Sequence, residues 1–164
     1  SSYLHASTAV TTNGLDCLRA LGQCGVRQPF IVFPPWFSED AMRTGAAYFA
    51  GHGFVAPQRY RHVPEDRWSD VRPQDLDRSF MHIQQNSELL FDQIVANCPS
   101  SADGVLIVGT GLRCVGIIEA IETELGRPVV TANQASLWRC LSLAKLETPV
   151  AGYGQLLAGP RDVC

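Results

Sequence analysis

Short apolar runs alternate along the chain with longer segments whose apolar residues recur every three or four positions. Residues 30–33 (FIVF) and 105–108 (VLIV) are continuous apolar runs rich in β-branched residues, which is typical of strands buried on both faces of a parallel sheet. Residues 129–131 predict a third, shorter strand, and residues 54–63 predict a weaker one. The sequence therefore predicts a sheet whose strands are separated by helices.

The segments with helical spacing begin or end at recognisable capping residues. Leu15, Leu18 and Leu21 follow the capping sequence Thr11-Thr12-Asn13, and Ser38 precedes a helix that extends to Phe49. The other helical segments are residues 115–125, residues 135–146, and residues 74–97 as one long amphipathic helix or two short ones. Charged residues 64–73 predict a solvated loop, and residues 152–157 a final turn.

This alternation of strand and helix predicts one α/β domain of 164 residues. The expected architecture is a three-layer sandwich around a parallel sheet, of the flavodoxin-like or Rossmann-like type. The α/β domain is expected at residues 14–146, with residues 1–13 and 147–164 as flanking segments.

A glycine loop, Gly109-Thr110-Gly111, directly follows the central strand. A right-handed crossover would place the end of the strand at 129–131, with Asn133 and Gln134 after it, on the same edge of the sheet. Ligands bind at that edge of open α/β sheets. Glycine lets backbone N–H groups approach an anion closely, although a tight turn needed only for packing would look the same.

The charge balance excludes several classes of partner. The 13 basic and 16 acidic residues include no basic run, so the chain lacks the electrostatic footprint of a nucleic-acid-binding protein. No apolar stretch is long enough to span a bilayer, and the first residues do not resemble a signal peptide. We therefore expect a soluble, cytoplasmic protein without a membrane or nucleic-acid partner. The sequence leaves open whether it forms a homo-oligomer.

Six cysteines are present, and their spacing is unlike that of a zinc site, so no metal is expected. Most of them are expected to be reduced and buried. Cys114 is a candidate for a chemical role because it lies in the first turn of the predicted helix after the glycine loop. Backbone amides at a helix N-terminus can lower the pKa of a thiol there.

Three segments resemble the aspartate/glutamate racemase superfamily, in its branch of maleate cis-trans isomerases and arylmalonate decarboxylases. They read GLDCLRALGQCGVRQPFIVFPPWFSEDAMRTGAAYFAGHGF, GVLIVGTGLRCVGIIEAIETELGRPVVTANQASLW and GYGQLL. The resemblance implies two α/β domains related by a pseudo-twofold axis, with the active site between them and no cofactor. Such enzymes remove a proton or a carboxylate next to a stabilised carboxylate, or add a thiolate to a double bond, through one or two cysteines.

The chain departs from this pattern in two ways. The resemblance implies that the chain would begin after the half-domain that carries the first cysteine loop. Residues 1–13 would then return from or belong to that half-domain, and residues 147–164 would be a C-terminal return segment. Gly109 occupies the position of the second cysteine. Cys114 lies five residues further along, more than one helical turn from that position.

The resemblance also implies which residues bind the substrate. Gly109, Thr110 and Gly111 would hold a substrate carboxylate. Ser7 and Thr8 match the STAV-type segment of the family, although they could also cap a helix. Trp36 lies where related enzymes carry an aromatic residue, and it could equally be a core or rim tryptophan. Asn133 could donate to substrate or cap the next helix.

The resulting hypothesis is a cofactor-independent racemase, isomerase or decarboxylase acting on a small carboxylate or dicarboxylate through an enediolate-like intermediate. A second hypothesis is a non-catalytic carboxylate-binding or regulatory domain that has lost the catalytic cysteine. A third takes GTGLRCVG as a nucleotide loop. Gly109, Gly111 and Cys114 match G-x-G-x-x-G imperfectly, however, and the next strand is followed by Asn133 rather than an acidic residue.

Overall fold

The two apolar runs predicted as strands lie side by side at the centre of a parallel sheet. The computed structural model describes residues 9–55, 58–76, 78–146 and 148–159, and Ser7 and Thr8 lie outside these ranges. The strands are β1 (Pro29–Phe33), β2 (Gln58–Arg61), β3 (Gly104–Ile107) and β4 (Val129–Thr131). Their order in the sheet is β2-β1-β3-β4, and all pairs are parallel. The predicted α/β class is confirmed.

Four helices of the described residues begin at a side chain that accepts from a free backbone amide. Thr12 caps the first helix, Ser38 caps the second, and Thr131 forms a capping box with Gln134. The helices are α1 (Asn13–Gln23), α2 (Glu39–Gly51), α3 (Pro73–Leu76), α4 (Met81–Gln84), α5 (Ser87–Asn97), α6 (Ile118–Leu125), α7 (Ala132–Leu143) and α8 (Gln155–Ala158). No helix of the described residues is long and apolar enough to cross a membrane.

The two faces of the sheet are covered by different helices, which gives the predicted three layers. Successive strand residues point to opposite faces. Ile31 and Leu106 pack in one core with α1, α2, α7 and α8, whereas Val32 and Ile107 pack in the other with α5 and α6. Every residue of the central strands β1 and β3 is buried, so these strands contribute apolar side chains to both cores.

Several predicted element boundaries differ from those in the structure. Residues 74–97 form α3, α4 and α5 rather than one or two helices, because Phe80 adopts a left-handed conformation (φ +58°) and Asn86 caps α5. The helix predicted from residue 115 starts with a 3-10 turn, Val115–Ile117, so α6 begins only at Ile118. The predicted loop at 64–73 contains a 3-10 turn, Asp66–Trp68, and the final predicted turn contains α8.

The order of the strands creates a crevice between β1 and β3. From β1 the chain crosses to β2 on one side, whereas β3 pairs with β1 on the other. The segments that leave the carboxyl ends of β1 and β3 therefore diverge. Such topological switch points are where open α/β sheets bind ligands.

Candidate functional site

The glycine loop leaves the carboxyl end of β3 in a conformation that only glycine adopts easily. Gly109 has φ +88°, and a Cβ atom there would lie 2.8 Å from Cγ of Pro34. Among the described residues, the backbone amides of Gly109, Thr110 and Gly111 find no acceptor. Three donors on a partly exposed turn, without acceptors among the described residues, are suited to binding an anion.

This loop borders a cavity of about 590 Å³ at the crevice between β1 and β3. We call it the loop cavity; its lining includes Gly109, Thr110, Gly111, Trp36, Tyr48 and His82. No lysine, arginine, aspartate or glutamate is among the described residues that line it. An anion in this cavity would therefore depend on backbone amides and neutral donors rather than on a salt bridge.

Trp36 lies against the glycine loop. The segment after β1, which carries Trp36, and the segment after β3, which is the loop, meet at the switch point of the sheet. Its Cζ2 atom is 3.1 Å from where a Cβ atom at Gly111 would be placed. A turn in which Phe37 N donates to Pro34 O at 3.1 Å directs the indole from the end of β1 towards the loop. The structure thus brings together Trp36, Gly109, Thr110 and Gly111, which are distant in sequence but were predicted as one site.

Asn133 contacts the loop from its other side. Its Nδ2 donates to the carbonyl oxygen of Thr110 at 3.0 Å, so it ties the start of α7 to the loop. Asn133 lines a second cavity of about 590 Å³, which shares Thr110 and Gly111 with the loop cavity. The rest of that second cavity is largely apolar, with walls that include Leu112, Val115, Ile118, Leu137, Val150 and Leu157.

The structure gives Cys114 an environment different from the one on which its predicted reactivity depended. Burial raises the pKa of Cys114 to about 12, and a hydrogen bond with Thr131 opposes this shift only in part. The helix that was to lower the pKa begins four residues later, at Ile118. The thiol is buried, donates to Leu112 O at 3.5 Å, and lines the second cavity rather than the loop cavity.

Four residues with polar or titratable side chains also line the loop cavity and were not predicted as site residues: Asn13, Cys17, Tyr48 and His82. Asn13 was recognised only as part of a helix cap; its Nδ2 donates to Ala132 O at 2.7 Å and Ser136 Oγ at 2.9 Å. No local motif marks the other three, because long-range packing alone brings them to the loop.

Cys17 lies on the loop cavity but is a poor nucleophile there. Burial, followed by the negative charge of Asp16, raises the pKa of the Cys17 thiol to about 12. Asp16 is buried and accepts hydrogen bonds from the hydroxyls of Thr11 and Ser136. The bond from Ser136 joins α1 to α7. The thiol is therefore protonated at neutral pH.

Comparison with known proteins confirms the resemblance seen in the sequence. The family model for arylmalonate decarboxylase matches residues 79–157, which include the glycine loop and His82. No curated protein sequence matches the chain.

Several solved structures share the fold. Unliganded arylmalonate decarboxylase superposes with a TM-score of 0.73 at 23% identity, over 90% of this chain and 59% of that one. Maleate isomerase Iso from Pseudomonas putida S16 superposes with a TM-score of 0.76 at 18% identity, over 94% of this chain and 57% of that one. A third structure is a mutant of the maleate cis-trans isomerase of Nocardia farcinica with a covalently bound succinylcysteine intermediate. It superposes with a TM-score of 0.69 at 18% identity, over 87% of this chain and 53% of that one. The chain spans less than two thirds of the length of these relatives.

Proposed function

We propose that this chain, which carries an arylmalonate decarboxylase-type segment, is the carboxylate-binding part of a cofactor-independent racemase, isomerase or decarboxylase. The observation that carries the proposal is the glycine loop. Its three amides have no acceptor among the described residues and border a cavity at the switch point of the sheet. The similarity to decarboxylase and isomerase structures supports the same reaction class.

The loop amides are suited to the charge that develops in this chemistry. When a proton or carboxylate leaves the carbon next to a carboxylate, the electron pair moves into that carboxylate and an enediolate forms. Amide donors placed at its oxygens stabilise the intermediate more than the substrate, because the negative charge on those oxygens grows. Gly109, Thr110 and Gly111 would supply the amides, and the Thr110 hydroxyl a further donor.

The neutral lining favours a small substrate bound mainly through its carboxylate. No lysine or arginine is among the described residues that line the loop cavity, so selectivity would come mainly from the direction of the amides. Trp36 forms one wall, and its single N–H group is a donor for a second oxygen. A cavity of about 590 Å³ accommodates a ligand of the size of phenylmalonate or maleate.

A turnover assay tests this proposal. The purified protein is incubated in D₂O with phenylmalonate, maleate, phenylpropionate or aspartate, and NMR follows loss of CO₂, isomerisation or deuterium uptake at the α carbon. Gly111→Ala should reduce whichever activity is found at least about 10-fold, as a disturbed hydrogen bond to a charged group costs about 1.5–3 kcal/mol. Gly116→Ala is the matched control, because a Cβ there meets no atom within 4 Å. Saturable binding without turnover of any substrate would contradict the proposal that the protein is an enzyme.

Two observations favour a carboxylate-binding or regulatory domain as the second candidate. Gly109 has no room for a side chain in this conformation, and the two thiols at the cavities have pKa values raised to about 12. Such a domain would keep the anion loop without a nucleophile. Binding of phenylmalonate or maleate with no turnover in the assay above would support it.

A further inference from the structure

We propose that His82 is the acid–base residue that exchanges a proton with the carbon next to the bound carboxylate. This inference rests on the proposed function, since it places the substrate carboxylate on the glycine loop. His82 is on α4 and lines the loop cavity together with Gly109, Thr110 and Gly111.

The backbone geometry places His82 directly against the loop. Its Cβ is 3.7 Å from the position of a Cβ at Gly111, on the same side as the Trp36 indole. His82 is among the residues that line the loop cavity, in which a carboxylate held by the loop amides would lie. Proton transfer requires the two groups to come within hydrogen-bond distance, and this placement allows it.

The segment that carries His82 is attached to the chain just after the loop. Arg113 Nη1 donates to Ile83 O at 2.6 Å, and Arg113 N donates to Gln85 Oε1 at 3.2 Å. Ser87 Oγ donates to Arg113 O at 3.0 Å. Met81 is buried beside His82 and anchors α4 in the protein. These contacts fix the distance between His82 and the loop, which acid–base catalysis requires.

The other titratable side chains on the loop cavity are less suited to this role. The thiol of Cys17, whose pKa burial raises to about 12, stays protonated at neutral pH and cannot act as a base. The hydroxyl oxygen of Tyr48 lies against α1, 3.4 Å from the position of a Cβ atom at Gly14. Imidazole is the side chain that ordinarily both accepts and donates a proton near neutral pH.

The proposed step conserves charge and atoms. Neutral His82 accepts the proton from the α carbon, the C–H electron pair moves into the carboxylate, and an imidazolium and an enediolate result. The imidazolium then returns a proton to the carbon and becomes neutral again. In D₂O the imidazolium exchanges its proton with solvent, so the substrate carbon gains deuterium without net reaction.

The test measures binding and exchange separately on the full protein. Phenylpropionate and phenylmalonate serve as probes, with the dissociation constant from calorimetry and deuterium uptake from NMR. His82→Gln should lower the exchange rate about 10²–10⁴-fold while the dissociation constant changes less than about 3-fold, because loop amides rather than the imidazole bind the carboxylate. Gln84→Ala, an exposed change on the same helix, should leave both unchanged. Added imidazole should restore exchange in His82→Ala, which a purely structural role would not allow.

The outcomes separate this inference from the proposed function. Exchange by His82→Gln at the wild-type rate overturns the role of His82 and leaves the proposed function standing. Binding by the wild-type protein without exchange also overturns it and favours the binding domain. Absence of both binding and exchange in the wild-type protein overturns the proposed function and the role of His82 with it. A circular dichroism melt of each variant identifies any that fails to fold.

Discussion

A Cβ atom at Gly109 would lie 2.8 Å from Cγ of Pro34, so the first residue of the loop and the turn after β1 fit together only without a side chain. Gly109→Ala combines this overlap with a positive φ, and we expect it to lower the free energy of unfolding by about 2 kcal/mol or more. Gly25→Ala is the control for the backbone alone, since Gly25 has φ +72° and no atom within 4 Å of its Cβ position. Chemical denaturation measures both. Equal losses of unfolding free energy in the two variants would show that contact with Pro34 does not contribute to the effect of Gly109→Ala.

Gly111→Ala should affect the ligand more than the fold. A Cβ at Gly111 would be 3.1 Å from Trp36 Cζ2, the edge of a side chain that can move by a few tenths of an ångström. We expect binding of phenylmalonate to weaken about 10-fold, as one amide is displaced, with little change in melting temperature. Calorimetry on Gly111→Ala and Gly116→Ala measures this. Loss of binding in both variants would point to a general effect on the helix that follows.

Cysteine modification should follow exposure rather than proximity to the loop. Cys140 is exposed, whereas Cys114 and Cys17 are buried with raised pKa values of about 12. With iodoacetamide at pH 8, Cys140 should react first among the described cysteines, because thiolate is the reacting form. Peptide mapping by mass spectrometry gives the order. Rapid labelling of Cys114 would restore it as a chemical candidate.

Glu122 should make stability depend on pH. Burial raises the pKa of its carboxyl, although backbone amides of Val129 and Gln155 donate to it and oppose the shift. The folded state therefore holds a proton that the unfolded chain has lost. This contribution is complete below the ordinary glutamate pKa of about 4.3 and disappears as the pH rises through the raised value.

The free energy of unfolding should thus fall over that pH window in the wild-type protein and fall less in Glu122→Gln. Glu124→Gln, on the exposed side of the same helix, should retain the wild-type dependence. Urea denaturation at several pH values measures the slope. A wild-type slope in Glu122→Gln would assign the dependence to another group.

The sheet and the glycine loop could be predicted from the sequence because both depend on local signals. A strand buried on both faces must be apolar throughout, as residues 30–33 are, and a glycine directly after a strand indicates an unusual turn. Trp36 was predicted for the site through the family resemblance, and the structure places it beside Gly111.

The rest of the site depends on contacts between distant segments. His82 reaches the loop because Phe80 interrupts the helix and because Arg113, 30 residues beyond Ile83, holds α4 in place. Helical periodicity carries no information about either. The sequence likewise does not show that a 3-10 turn delays the start of α6, or that the Cys114 thiol is buried, which raises its pKa.

Backbone amide NMR tests the central claim, carboxylate binding by the glycine loop, most directly. During titration with phenylmalonate, the ¹H–¹⁵N signals of Gly109, Thr110 and Gly111 should move together, downfield and saturably, since their amides gain a charged acceptor. The signal of Gly116, which is outside the loop, should not shift. Saturable shifts confined to other residues, or no shifts at any of the three loop amides, would contradict the account.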